Sequence, residues 1–191
     1  MDKQSKKILG LFARYIAVLL IGLGNLYVVY KVLTPLTIYV LNAILSIFTE
    51  TVLKGNMIET YRFLIEIVPA CVAGSAFYLL LLLIMLTADI KPEVRTKAII
   101  SAFGMLFALN MLRILILVPI VTTPYFETAH WIFWHLISTI FVVGVWFIII
   151  KLYKIKAIPI YSDFKYLKSL IKFKKSKSVK SKKSKGKKKN K

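Results

Sequence analysis

Five long apolar stretches separated by short polar segments run along the chain. They cover residues 8–30, 32–48, 71–87, 98–121 and 131–150. The longer stretches approach the roughly 20 residues that a helix needs to cross a bilayer, and they lack the alternation typical of strands. The pattern therefore predicts an all-α polytopic membrane protein with one integral domain.

A mixed segment at residues 49–69 interrupts the apolar stretches. Residues 54–56 read Lys-Gly-Asn, which is typical of a turn, and residues 61–67 carry apolar side chains at alternate positions. Alternation of this kind suits an extended strand. We expect a small hairpin, or lid, that covers the membrane surface just before Cys71.

Basic residues set the expected orientation in the membrane. The loop at residues 88–97 carries three basic residues and the tail from Lys151 onward is strongly basic, so both are expected in the cytoplasm. The loop at residues 122–129 contains Glu127 and no basic residue, so it is expected outside. The hairpin and Cys71 then also face outward.

The amino-terminal segment conflicts with this orientation if all five stretches cross. Its lysines would then lie outside. Residues 32–48 cover only about 25 Å at helical rise, short of a bilayer core of roughly 30 Å. We therefore expect about four full spans, one interfacial or re-entrant helix at residues 32–48, and two cytoplasmic termini. The first stretch exceeds a signal peptide's apolar region and is expected to remain as a span.

Composition supports the membrane assignment and sets the tail apart. Apolar residues make up 58% of the chain, against about 45–50% in soluble domains. Twelve lysines and no acidic residue fall within residues 172–191, although the net charge of the whole chain is +20. Such a segment cannot form a core. We expect a disordered cytoplasmic tail that binds anionic lipid, in preference to nucleic acid.

The segment before the tail has apolar residues at helical spacing, which indicates a short helix lying on the inner membrane surface. The sequence thus divides into an integral membrane domain at residues 1–153, an interfacial helix at 154–171 and the tail at 172–191.

Three chemically reactive side chains occur in or beside the apolar stretches: Cys71, Arg113 and His135. A charge near the bilayer centre costs roughly 2.5–3.5 kcal/mol and normally marks a functional path. Cys71 lies at the outer end of its stretch, while Arg113 is expected about 12 Å and His135 about 6–9 Å below the outer surface. The three side chains could therefore meet in one outward-facing pocket.

Such a pocket suits thiol chemistry. A free thiol with a pKa near 8.5 is mostly protonated, so Cys71 needs a base, and His135 could remove its proton before attack on a peptide carbonyl. Arg113 could stabilise the oxyanion or orient a substrate carboxylate. The lone cysteine excludes an intrachain disulfide and a cysteine zinc cage, and no metal or cofactor is expected.

Neighbouring residues leave alternatives open. His130, at the edge of the outer loop, competes with His135 for the role of base. Asn110 lies one helical turn from Arg113 and could hold its guanidinium, and Glu66 is a candidate counter-ion.

Structural roles also compete. Cys71 could be packing material, Arg113 could snorkel, and a histidine near tryptophans could be an interfacial anchor. The main alternative function is a non-enzymatic transport or assembly subunit with Arg113 and His135 along a polar path. A lipid-modifying enzyme ranks last because the spans lack a cluster of carboxylates or histidines.

Three motifs resemble those of the exosortase/archaeosortase family. The segment from Ile67 to Leu80 looks like the family's cysteine motif, and Leu109 to Arg113 resembles its arginine motif. Trp134-His135, followed by a long apolar span, is similar to its histidine motif. The resemblance covers roughly residues 45–150. Many members have glycine two residues after the cysteine, where this chain has Ala73.

The resemblance implies a multi-pass transpeptidase of the cytoplasmic membrane, with its site on the extracytoplasmic side. Expected substrates are surface proteins that end in a short sorting motif, one membrane helix and a basic cluster. Cleavage would pass through a thioester to transfer or hydrolysis. By this resemblance Cys71 is the nucleophile, Arg113 the transition-state stabiliser and His135 the proton carrier.

Overall fold

The computed structural model describes residues 3–24, 26–87 and 90–155. Seven helices occur in these ranges: α1 (Lys3–Leu23), α2 (Tyr27–Leu45), α3 (Pro69–Val72), α4 (Gly74–Met85), α5 (Pro92–Leu117), α6 (Phe126–Ile132) and α7 (Ser138–Leu152). A 3-10 turn at Val118–Ile120 ends α5, and a π-helical turn at Phe133–Ile137 joins α6 to α7. The predicted tail, and all but the first two residues of the predicted interfacial helix, lie outside the described residues.

The prediction of a mainly helical chain is confirmed. Three helical segments of the described chain are long and apolar enough to cross a membrane, namely Tyr27–Leu45, Pro92–Ile120 and Phe126–Leu152. Leu9–Leu23 and Pro69–Met85 are shorter apolar helices. Many large apolar side chains point away from the protein interior, including Leu23 at 73% exposure and Phe147 at 53%. Such surfaces are consistent with a membrane protein, because lipid can cover them.

Helix α2 begins earlier than predicted. Its first residue is Tyr27 instead of residue 32, and its 19 residues extend about 28 Å. Helix α1 ends at Leu23, and Leu26, directly before α2, is left-handed with φ +57°. Lys31 stays inside the helix, with its ammonium 5.6 Å from the Tyr27 ring centre. The helix is therefore longer than the roughly 25 Å expected from the sequence, and by length and composition it is one of the three in the described chain that could cross a membrane.

Between α2 and α3 the chain forms a three-stranded antiparallel sheet in the order β1-β2-β3, with β1 at Thr51–Lys54, β2 at Met57–Thr60 and β3 at Leu64–Glu66. Gly55 supplies the positive φ of +63° in the first turn, and Lys54 pairs with Glu59 beside it. The predicted hairpin is thus present, extended by a third strand. β3 leads directly into α3.

The helices pack around α4, α5 and α7, which contact one another. α1 packs on α4, while α2 packs on α3, α4 and β1. Gly74 allows the close approach of α2, since a Cβ at this position would lie 2.6 Å from the Tyr30 ring. The core is apolar apart from a few buried polar side chains, among them Asn110 and Arg113 on α5.

Candidate active site

Cys71 lies on α3, a helix of only four residues whose two ends are both fixed by the backbone conformation of neighbouring residues. Extended Val68 and Pro69 begin α3, and the Cys71 N–H donates to Val68 O at 2.8 Å. Ala73 ends it in the left-handed conformation with φ +57°, and α4 then starts in a new direction. This break leaves the last carbonyls of α3 without the partners that a continuous helix would supply.

Arg113 satisfies those carbonyls. Its side chain is 2% exposed, and Nη2 donates to Ala70 O at 2.9 Å and to Cys71 O at 3.1 Å. Nη1 donates to Ser138 Oγ at 3.1 Å. The arginine in the apolar span thus fixes the backbone of the cysteine helix and joins it to α7.

Asn110 reinforces the same contact. It is 3% exposed, and its Nδ2 donates to Cys71 O at 2.9 Å. The two α5 side chains therefore share Cys71 O as an acceptor. Contrary to the expectation from the sequence, Asn110 does not bond to the guanidinium but donates to the same carbonyl. The Arg113 Nε–H is buried and has no acceptor within the described residues.

Ser138 is a site residue that the sequence did not reveal. Its hydroxyl accepts from Arg113 and donates to Phe133 O at 2.8 Å, across the π-helical turn. Single π-turns inside α-helices occur frequently at functional sites. In a continuous α-helix His130 and Ser138 would be about 80° apart around the axis. The π-turn takes up one extra residue, so the two positions are related as if they were seven residues apart in an α-helix. Their angular separation is then about 20°, and both face α5.

The two histidines occupy different surroundings. His130 is half-buried, its ring stacks on Phe126 with 5.6 Å between ring centres, and it faces the cavity next to Cys71. His135 is exposed, its Nδ1 lies 3.1 Å from Trp131 O, and its ring contacts Trp131 and Trp134. The structure thus brings His130, and not His135, to the predicted cysteine and arginine.

One cavity of about 280 Å³ contains Cys71, Arg113 and His130 in its wall. The remaining wall is formed by residues 64–68, the C-terminal end of α5 with the turn that follows it, and Phe126, and is largely apolar. Glu66 is part of the wall, but no carboxylate in the described chain makes an ion pair with Arg113. The counter-ion predicted at Glu66 is therefore not in ion-pair contact with the guanidinium.

Within the described ranges no cluster of histidine, cysteine and acidic residues could hold a metal ion. The arrangement instead supplies a nucleophile, a neighbouring imidazole and a fixed cation in an apolar cavity. No family model, curated protein or solved structure matches the chain.

Proposed function

We propose that this protein is a membrane-embedded cysteine transpeptidase or endopeptidase of the exosortase/archaeosortase type. It cleaves the C-terminal sorting signals of surface proteins and transfers the cleaved protein to an acceptor. The single observation that carries the proposal is the shared cavity of Cys71, Arg113 and His130. A thiol, an imidazole and a guanidinium together supply the groups that thiol acyl transfer needs.

The reaction begins when His130 takes the thiol proton of Cys71. Sγ forms a bond to the substrate carbonyl carbon, and the resulting imidazolium returns its proton to the leaving amine as the C–N bond breaks. An acceptor amine, or water, then attacks the thioester carbonyl and releases the thiol. The chemistry is the one expected from the sequence, with His130 in the role first given to His135.

Arg113 has two functions in this scheme. Its Nη2 donates to the Ala70 and Cys71 carbonyls, which fixes the position of the nucleophile. Its buried Nε–H lacks an acceptor in the described structure, and an oxyanion is the kind of acceptor that it can stabilise. A guanidinium bonded in this way does not line an open polar path, which favours an enzyme over a transport subunit.

We propose an outward-facing site with both termini in the cytoplasm and four crossings, the first of them shared by α1 and α2. Arg14 on α1 donates to Met85 O and Thr87 O at the cytoplasmic end of α4. The far end of α1 meets the middle of α4, where Tyr78 Oη donates to Val18 O. α2 then continues to β1 and does not fold back along α1 in the described chain. The amino-terminal lysines thereby remain inside.

The decisive experiment replaces Cys71 by alanine and, separately, by serine in a host that lacks the wild-type gene. Maturation of surface proteins that end in a sorting motif, a membrane helix and a basic cluster is followed by gel mobility, with membrane levels of each variant as the control. Both variants should insert normally and leave these proteins uncleaved. Normal maturation in the Cys71→Ala strain would rule the proposal out.

A further inference from the structure

Strand β3 is an edge strand of the sheet. The strand and the two residues after it, residues 64–68 in all, line the cavity that contains Cys71. One side of β3 pairs with β2 in register, Ile58 opposite Ile65. The other side has no strand beside it in the described chain. An unpaired strand edge offers N–H and C=O groups to another extended chain.

The hydrogen bonds at the two ends of the ladder identify the residues that face β2. Thr60 N–H donates to Phe63 O at 3.0 Å, and Ile67 N–H donates to Asn56 O at 2.9 Å. Hydrogen-bonded pairs alternate with non-hydrogen-bonded pairs along an antiparallel ladder. Ile65 therefore bonds to β2, as Phe63 and Ile67 do.

Leu64 and Glu66 consequently direct their backbone groups to the open edge. No hydrogen bond to these groups occurs in the described part of the chain. Ile65 and Ile67 are buried beneath the strand, while the side chains of Leu64, Glu66 and Val68 are exposed. The edge thus presents two free N–H and two free C=O groups along the cavity wall.

We propose that the substrate binds as an added strand on the edge of β3, and that this pairing carries its scissile bond to Cys71. The inference rests on the proposed function and names the binding mode of its substrate. The occupant is an extended, largely apolar peptide segment, because the cavity wall is mostly apolar. Glu66 is the acidic residue of that wall, so the segment has neutral or basic side chains beside it. Backbone pairing supplies affinity, and the pockets between exposed side chains supply specificity.

The test uses the full chain in lipid nanodiscs and a defined probe, acetyl-Val-Thr-Val-Thr-Ala chloromethyl ketone. The Cys71 sulfur displaces chloride from this probe and forms a thioether, and the released proton passes to base. Since Cys71 is the lone cysteine, intact mass reports its modification without ambiguity. The probe is also prepared with a single N-methyl group on each amide in turn, which removes one donor at a time.

Strand addition predicts an alternating result. Methylation of amides that face β3 should slow modification roughly 3- to 10-fold each, and methylation of the intervening amides should change it little. Glu66→Pro removes an edge N–H and should slow the unmethylated probe to the same degree. Thr51→Pro removes an outward N–H on the opposite edge of the sheet and is the matched control, with an unchanged rate.

Each possible outcome is decisive. Equal rates for all methylated probes, with Cys71 still alkylated by iodoacetamide, would overturn strand addition and leave the proposed nucleophile intact. A Cys71 that reacts with neither reagent would overturn the proposed function and this inference with it. The methylation series uses the unmodified protein, so the test stands even where a proline variant fails to fold. Glu66→Gln, which keeps the N–H, should preserve the alternation.

Discussion

Replacing His130 by glutamine is expected to abolish processing, whereas the same change at His135 is expected to leave it nearly intact. Glutamine keeps a polar side chain of similar length but cannot accept and return a proton. His130 lines the cavity with Cys71, while His135 is exposed and contacts its own helix. The pair is therefore a matched test of which imidazole acts as the base.

The expected magnitudes follow from these surroundings. Loss of a general base lowers a rate by roughly 10²- to 10⁴-fold, about 3–5 kcal/mol of activation free energy. His135→Gln loses one exposed contact to Trp131 O and two ring contacts, worth about 0.5–1.5 kcal/mol for each aromatic pair. That loss concerns local helix stability, so processing should stay within about threefold of wild type.

Pulse-chase labelling of a surface protein substrate separates these outcomes. Cells with His130→Gln should accumulate the precursor, and cells with His135→Gln should mature it at close to the wild-type rate, at equal membrane levels of both variants. Normal maturation with His130→Gln and precursor accumulation with His135→Gln would refute the assignment from geometry. That result would instead support His135, the base chosen from its expected depth in the membrane.

Three further substitutions test the support around the site. Ser138→Ala removes a hydrogen bond to the Arg113 guanidinium and should cost about 1.5–3 kcal/mol of stability, measured as a lower thermal midpoint. Ser138→Thr keeps the hydroxyl and should retain most of that stability. Equal midpoints for Ser138→Ala and the wild type would contradict the role of this hydroxyl. Ala73→Gly should raise the midpoint slightly, because relief of a left-handed alanine (about 1–2 kcal/mol) exceeds the added chain entropy (about 0.4–1 kcal/mol), and a lower midpoint would count against strain at the break. Gly74→Ala places a methyl group against the Tyr30 ring and should cost about 1–3 kcal/mol of stability. A smaller residue at position 30 should partly recover this stability, and a double variant in which the two losses simply add would exclude the contact.

The sequence predicted the helices better than their ends. All five apolar stretches form helices, because long apolar runs have few alternatives. Their boundaries depend on local contacts that a hydropathy pattern does not contain. α2 starts at Tyr27 because Leu26 before it is left-handed and because Lys31 is accommodated in the helix. The left-handed Ala73 splits the third stretch into two helices. The sequence does not indicate this break, because alanine is the residue that most favours a continuous helix.

The candidate site was also predictable only in part, because its residues stand out in the sequence but their positions depend on where the helices begin and end. Cys71 and Arg113 stood out as reactive side chains among apolar ones, and they line one cavity. From the sequence, the last helix was expected to begin near Trp131, which put His130 at the edge of the preceding loop. Helix α6 starts at Phe126, so His130 is already one turn inside. The π-turn that aligns it with Ser138 depends on tertiary packing and could not be foreseen from residue spacing.

The hydrogen bonds of Arg113 have one more consequence, for the electrostatics of the cavity. All its acceptors in the described chain are uncharged, two carbonyls and a hydroxyl. A guanidinium keeps its proton throughout the physiological pH range, and low-dielectric walls screen it weakly. The cavity therefore keeps a positive charge that would stabilise a developing oxyanion on a bound carbonyl group. Acidification from neutral pH does not remove this charge, because the guanidinium is already protonated.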